Sequence, residues 1–190
     1  MITYSKPGPG IITLPLLDQA TCERLITLAD EHDWEQAGVM KRTSNAEVAV
    51  MTEVRSATIS YVERDTDAWR VLHEKMTQVV RPLVRTEWKR DFREYSDFQV
   101  VRYLPGDFYH THRDSGPNNP NRYFTVVCYL NDGFEGGGTH FPEADYTVEP
   151  IRGHALIFPS AYLHQAQRVV GGTKYIAVAW LLGTPPIQWM

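Results

Sequence analysis

The sequence predicts an α+β domain with a mainly β core, and three observations carry that prediction. Its 190 residues suffice for one domain with a core of its own. Before about residue 95, apolar residues recur at helical spacing. From residue 97 the period shortens to that of strands, with turn signals between short apolar runs and no helical pattern. Supporting helices followed by an antiparallel sandwich or barrel satisfy all three. The chain therefore reads as a single domain over 1–190, with a helix-rich support over 1–95 and a β-rich core over 96–183.

Each element has a local reason. Pro7-Gly8-Pro9-Gly10 leads into the apolar run Ile11-Ile12-Thr13-Leu14, read as an edge strand. Asp18 is placed to cap a helix over 19–33, whose Cys22, Leu25, Ile26 and Ala29 share one face. A second helix is expected over about 67–88. Asp67 is its expected cap, and Trp69, Leu72, Met76, Val79, Val80 and Leu83 form its apolar stripe. Pro82 has no N–H to donate and is expected to kink or divide it. Arg81, Arg85, Lys89, Arg90 and Arg93 alternate with Glu87, Asp91 and Glu94, the pattern of a solvated face. Strands follow at 98–103, 123–130, 146–149, 155–158 and 174–182. Pro105-Gly106, Asn131-Asp132-Gly133, Gly136-Gly137-Gly138 and Gly171-Gly172 punctuate them. Residues 115–121 read as a mobile surface loop.

Composition removes several function classes. With 23 acidic against 19 basic residues, the net charge of −4 offers phosphate backbones no general attraction, so no nucleic-acid partner is expected. No apolar run reaches the ~18 residues of a membrane span, and the start shows no signal-peptide pattern. Cys22 and Cys128 are too few for a disulfide framework. The expectation is a cytoplasmic protein of open oligomeric state, with Cys128 a small buried hydrophobe. Seven histidines remain to be explained.

Three residues of the β-rich half could form a metal site. His112 and Asp114 lie two apart, which on a strand places both on one face. His164, from a later strand, would complete two imidazoles and a carboxylate on one side of an octahedron. That donor set suits iron(II) with open positions better than a thiolate-rich structural zinc site. Taken alone, a His-x-Asp pair is equally explained by surface polarity.

The surrounding motifs are more specific. Residues 102–114, Arg-Tyr-Leu-Pro-Gly-Asp-Phe-Tyr-His-Thr-His-Arg-Asp, fit R-Y-x-x-G-x-x-Y-x-x-H-x-D. Residues 129–142 fit Y-L-N-D-x-x-E-G-G-x-T-x-F-P, and 148–158 fit V-x-P-x-x-G-x-A-L-x-F. His164, Val169, Gly172 and Lys174 fit H-x-x-x-x-V-x-x-G-x-K, with Trp180 six positions on. In these motifs the chain resembles the prolyl 4-hydroxylase-like branch of the iron(II)/2-oxoglutarate-dependent dioxygenases. The first 95 residues resemble it only loosely, through Val54-Arg55-Ser56 and the helix-rich start.

The resemblance implies a double-stranded β-helix (jelly-roll) with His112, Asp114 and His164 as iron ligands. Lys174 would hold the far carboxylate of 2-oxoglutarate and Tyr129 would hydrogen-bond to it, while Tyr103 lines that pocket and Trp180 walls the metal. It further implies O2 as co-substrate, with ascorbate (vitamin C) as a further candidate cofactor, and hydroxylation of an unactivated C–H bond with release of succinate and CO2. Asp114 favours hydroxylation over halogenation, for which that ligand is vacated. The expected substrate is a peptidyl-proline or amino-acid-like molecule. A small-molecule hydroxylase or oxidative cyclase is the alternative, and a non-catalytic metal-binding barrel a second one. Arg55, Tyr109 and His140 are the candidate substrate contacts, although Arg55 also reads as an ordinary surface arginine. Residues 36–60, with Lys41, Arg42 and Glu53, and the loop 115–121 are the segments expected to cover a substrate. His32 and His73 read as surface residues, and His110 and His154 fall outside the ligand pattern.

Overall fold

The computed structural model describes residues 3–40, 48–92 and 94–183. Alternating apolar residues in the second half build a nine-stranded antiparallel sheet. Its path runs Ser5–Gly8, Ile11–Pro15, His154–Pro159, Arg122–Tyr129, Lys174–Leu182, Gln99–Tyr103, Thr58–Tyr61 and Glu35–Gln36, and Glu94–Tyr95 also pairs with Lys174–Leu182. Facing it is a five-stranded sheet in the order Tyr146–Val148, Thr139–Phe141, His164–Ala166, Phe108–His112 and Arg55–Ser56. Two sheets in this arrangement form a jelly-roll.

The period of two gives the large sheet two different faces. Phe124, Val126, Cys128, Ala177, Ala179 and Leu181 pack with Leu25, Leu72, Met76 and Val80 of the helices. Their neighbours Val127, Tyr129, Ile176, Val178 and Trp180 face the interior between the sheets. Most of these side chains are under one-tenth exposed, so each face is a packed core.

The first helix spans Gln19–Asp30, and Asp18 Oδ1 accepts from Thr21 N at 2.8 Å as expected of a cap. The second begins at Asp67, but its cap is Thr66, whose hydroxyl accepts from Trp69 N at 3.2 Å. Asp67 instead forms ion pairs with Arg24 of the first helix and with Arg70 across its own first turn. Pro82 divides this helix through a π-helical turn over Met76–Val80, where the Arg81 N–H reaches back to the Met76 carbonyl. A proline cannot donate to the residue four before it, and the wider turn carries the chain past that gap. Arg81 and Arg85 both pair with the exposed Asp91.

Three further expectations change. Ile11–Pro15 is paired on both sides, so the edge strand is Ser5–Gly8. The first half is not merely helical support: Thr58–Tyr61 pairs with Gln99–Tyr103 inside the large sheet, and Arg55–Ser56 pairs with Phe108–His112 in the small one. These strands are too short to show a period. Ser115, the first residue of the expected surface loop, is buried, and its N–H is held by the Ser160 carbonyl at 3.1 Å. Lys41, Arg42 and Arg93 lie outside the described residues.

Candidate active site

Phe108–His112 and His164–Ala166 are antiparallel neighbours in the small sheet, and their register sets His112 directly opposite His164. The strand ends at His112, so Asp114 does not share its face by strand alternation, as the spacing suggested. It is brought back by the turn: the Asp114 N–H bonds to the Ser160 carbonyl at 3.0 Å. The three ligand atoms lie within 4.8 Å of one another. Each Nε2 stands 3.4 Å from an Asp114 oxygen, His112 against Oδ1 and His164 against Oδ2.

The surrounding groups orient these three. His112 Nδ1 faces the His110 carbonyl at 2.7 Å, and His164 Nδ1 faces the Tyr162 carbonyl at 3.0 Å. A carbonyl only accepts, so each Nδ1 carries the hydrogen and each Nε2 keeps its lone pair for a metal. Thr125 Oγ1 donates to Asp114 Oδ2 at 2.7 Å and lies 2.9 Å from Ser160 Oγ. Burial pushes the His112 pKa down, helped by the His164 charge, which favours the neutral imidazole. Burial alone would raise the Asp114 carboxyl, but His164 and His112 beside it hold it well below the usual range.

A cavity of about 230 Å³ opens from these residues toward the large sheet. Lys174, 1% exposed, reaches into it from the Lys174–Leu182 strand. Its ammonium donates to the Gly137 carbonyl and lies 4.9 Å from the Tyr103 ring centre and 5.7 Å from that of Tyr129. No carboxylate pairs with it among the described residues, and burial drives its pKa down to about 7. Tyr103, Tyr109, Trp180 and Arg55 also line the cavity. Tyr129 stands one layer back, its hydroxyl 2.7 Å from Thr139 Oγ1, and Thr139 takes the wall position.

His140 is the candidate that the structure leaves outside. It follows Thr139 on a strand, so alternation turns it away from the cavity, and its Nδ1 meets Thr147 Oγ1 at 3.0 Å. Among the wall residues that the sequence reading missed are three with polar groups beside the site: Thr125, Thr139 and Arg122. The only hint of Arg122 is a charge opening an otherwise apolar strand.

Comparison with known proteins points to the same family. A family profile described as the 2OG-Fe(II) oxygenase superfamily matches residues 98–182, the stretch that holds all three candidate ligands and Lys174. Over that stretch the chain is similar to that superfamily, and its relatives and structural neighbours support the prolyl 4-hydroxylase-like branch. A candidate prolyl 4-hydroxylase of Acanthamoeba polyphaga mimivirus is 29% identical over 150 residues, covering 68% of this chain and 62% of that protein. The chain thus spans less than two thirds of this relative. A Pseudomonas putida prolyl-4-hydroxylase superposes with TM-score 0.74 at 19% identity, covering 92% of each chain. A Trichoplax adhaerens prolyl hydroxylase, in complex with a hypoxia inducible factor peptide, superposes with TM-score 0.72 at 17% identity over 91% of this chain and 83% of that one. At such identities the superpositions establish the shared jelly-roll.

The oxygenases of this superfamily use iron(II) and 2-oxoglutarate, and the residues present fit both. The donor set is two imidazoles with free Nε2 atoms and one ionised carboxylate, which suits a ferrous ion. The fit to a dicarboxylate rests on Lys174, since a buried ammonium without an anion is costly and an incoming carboxylate would relieve it. Among the described residues no helix is long and apolar enough to cross a membrane.

Proposed function

We propose that this chain hydroxylates an unactivated C–H bond of a peptidyl-proline or amino-acid-like substrate, with iron(II), 2-oxoglutarate and O2, and with ascorbate as accessory reductant. The observation that carries this reading is one cavity holding both the His112, Asp114 and His164 cluster and the unpaired ammonium of Lys174. A bare metal-binding barrel has no use for that lysine. The Trichoplax neighbour's peptide complex supports a peptide as one form of substrate.

Iron and 2-oxoglutarate together supply the oxidant, with succinate and CO2 as by-products. The chain supplies position and dryness. His112, Asp114 and His164 would hold the metal from one side and leave it room for further ligands. Lys174 would hold the far carboxylate of 2-oxoglutarate, and Thr139, held by Tyr129, offers a hydroxyl on the same wall. Thr125 keeps the Asp114 carboxylate turned toward the imidazoles. Val127, Ile176 and Val178 exclude water from the floor, which protects the reactive centre from wasteful turnover. Tyr109 and Arg55 are the proposed substrate contacts.

Mixing the protein with iron(II) and 2-oxoglutarate without oxygen should give a weak visible charge-transfer band, and admitting air should give succinate. Absence of both would refute the oxygenase reading. Mass spectrometry on proline peptides and a metabolite pool, seeking a product heavier by one oxygen, identifies the substrate.

A further inference from the structure

The cavity carries more positive charge than iron and 2-oxoglutarate can use. Arg55, Arg122 and Lys174 line it against a single carboxylate, Asp114. In the oxygenase reading, on which this inference rests, iron(II) brings two positive charges and 2-oxoglutarate two negative ones. Lys174 and Asp114 offset each other in that count. The two guanidinium groups are left over.

Both are set up as if for a missing partner. Arg55 pairs by register with Tyr109, and its guanidinium lies 4.8 Å from that ring's centre. Its Nη1 donates to the Gly38 carbonyl at 3.2 Å, while its buried Nε has no hydrogen-bond partner. Arg122 lies 3.6 Å over the Trp180 ring, and its Nη1 makes only a long 3.4 Å bond to the Asp114 backbone carbonyl. The Trp180 Nε1–H beneath it is buried and unpartnered. Asp114 attracts the Arg122 guanidinium and Arg55 repels it, and the Tyr109 phenol feels both guanidinium groups. Eight other arginines, Arg102 and Arg152 among them, each pair with a carboxylate, whereas Arg55 and Arg122, like Arg90 and Arg168 outside the cavity, form no ion pair among the described residues. Aromatic faces hold the two planar groups in place without neutralising them.

We propose that the substrate presents a carboxylate, which binds between Arg55 and Arg122 beside Tyr109 and Trp180. A neutral peptide carbonyl could accept one of these hydrogen bonds but would leave the two half-buried guanidinium charges of the cavity without a substrate anion. A carboxylate accepts from both forks and removes the repulsion. The substrate class is therefore a free amino acid, or a peptide whose C-terminal carboxylate follows the hydroxylated residue, in preference to the interior of a long chain.

The test compares N-acetyl-L-proline with N-acetyl-L-prolinamide, which share the ring and differ in the charge. Each is titrated calorimetrically, without oxygen, into protein loaded with manganese(II) and 2-oxoglutarate. The acid should bind at least ~10-fold tighter than the amide, the charged-bond regime. Arg55→Gln and Arg122→Gln should each bring the ratio close to one, and Arg122→Lys should retain part of it. The 2-oxoglutarate affinity of Arg55→Gln should stay within about threefold of the parent, showing an intact site. Equal affinity for acid and amide, or no binding of the acid while 2-oxoglutarate binds, overturns the carboxylate proposal and leaves the oxygenase reading standing. Failure of manganese and 2-oxoglutarate to bind at all overturns that reading, and this proposal with it.

Discussion

Replacing Lys174 by Met should make the ligand-free protein more stable and the ligand-binding protein worse. Met nearly conserves length and volume while removing the charge. Burial takes the ammonium from its ordinary 10.5 to about 7. At about 1.4 kcal/mol for each pH unit, that displacement amounts to about 5 kcal/mol as an upper limit. Loss of the bond to the Gly137 carbonyl offsets part of it, so a gain of about 2–3 kcal/mol is expected, or about 5–10 °C in Tm. The sign with pH follows from a folded-state pKa below the unfolded one. Between about 7 and 10.5 the unfolded chain holds a proton that the folded chain lacks, so parent stability rises with pH across that window. Below 7 the penalty is complete, and the advantage of Lys174→Met is greatest there. If Lys174 holds 2-oxoglutarate as proposed, binding requires the ammonium, so the parent affinity should fall above pH 7, by up to about tenfold per pH unit, as Tyr103, Tyr129 and Gly137 supply no replacement charge. Differential scanning calorimetry at about pH 6.5 and about pH 9, on either side of the shifted pKa, and anaerobic 2-oxoglutarate titration measure both halves. A destabilised Lys174→Met protein, or one with parental 2-oxoglutarate affinity, would refute the reasoning.

Thr125→Val keeps the shape but removes the donor to Asp114, and should weaken iron(II) affinity by about 10–100-fold in chelator competition; a change under twofold would disprove the positioning role. Gly153→Ala should cost about 2 kcal/mol or more by urea denaturation, because φ is +76° and the new Cβ would lie 2.2 Å from the Leu17 carbonyl; an unchanged midpoint would contradict this. Both thiols are buried, with Cys22 raised to about 11 and Cys128 pushed well above its ordinary value by burial, so neither should react with a thiol reagent at about pH 8 until urea is added. Rapid labelling of the native protein would show that the core opens easily.

The long strands were legible because each buries both faces at period two: Lys174–Leu182 is observed with the bounds its apolar run suggests. The candidate ligand residues stood out because they sit in spaced motifs around turns. What the chain hid depends on pairing across distance. Thr125 contacts Asp114 only because the Arg122–Tyr129 strand lies beside His154–Pro159 in a register that sets Thr125 opposite Phe158, two residues before Ser160. Arg122 joins the cavity because Trp180 sits across from Thr125 in the next strand. Neither fact has a local signature. His140 misled for the opposite reason: proximity in sequence to a motif says nothing about which side of a strand a residue takes. Thr66 and Asp67 both carry cap-forming oxygens, and only the backbone geometry chose between them.

The two faces of the central strands separate what the protein recognises from what holds it up. Along Lys174–Leu182, the even positions Lys174, Ile176, Val178 and Trp180 belong to the cavity, while Ala177, Ala179 and Leu181 rest on the helices. Ala177 and Ala179 keep that side thin, so the helices lie close and need no adjustment when a cavity residue changes. Selection for a new substrate can thus run through every second codon of a strand, with the helix-facing side untouched. A library confined to positions 176, 178 and 180 would vary the cavity wall, within the volume that the packed interior allows.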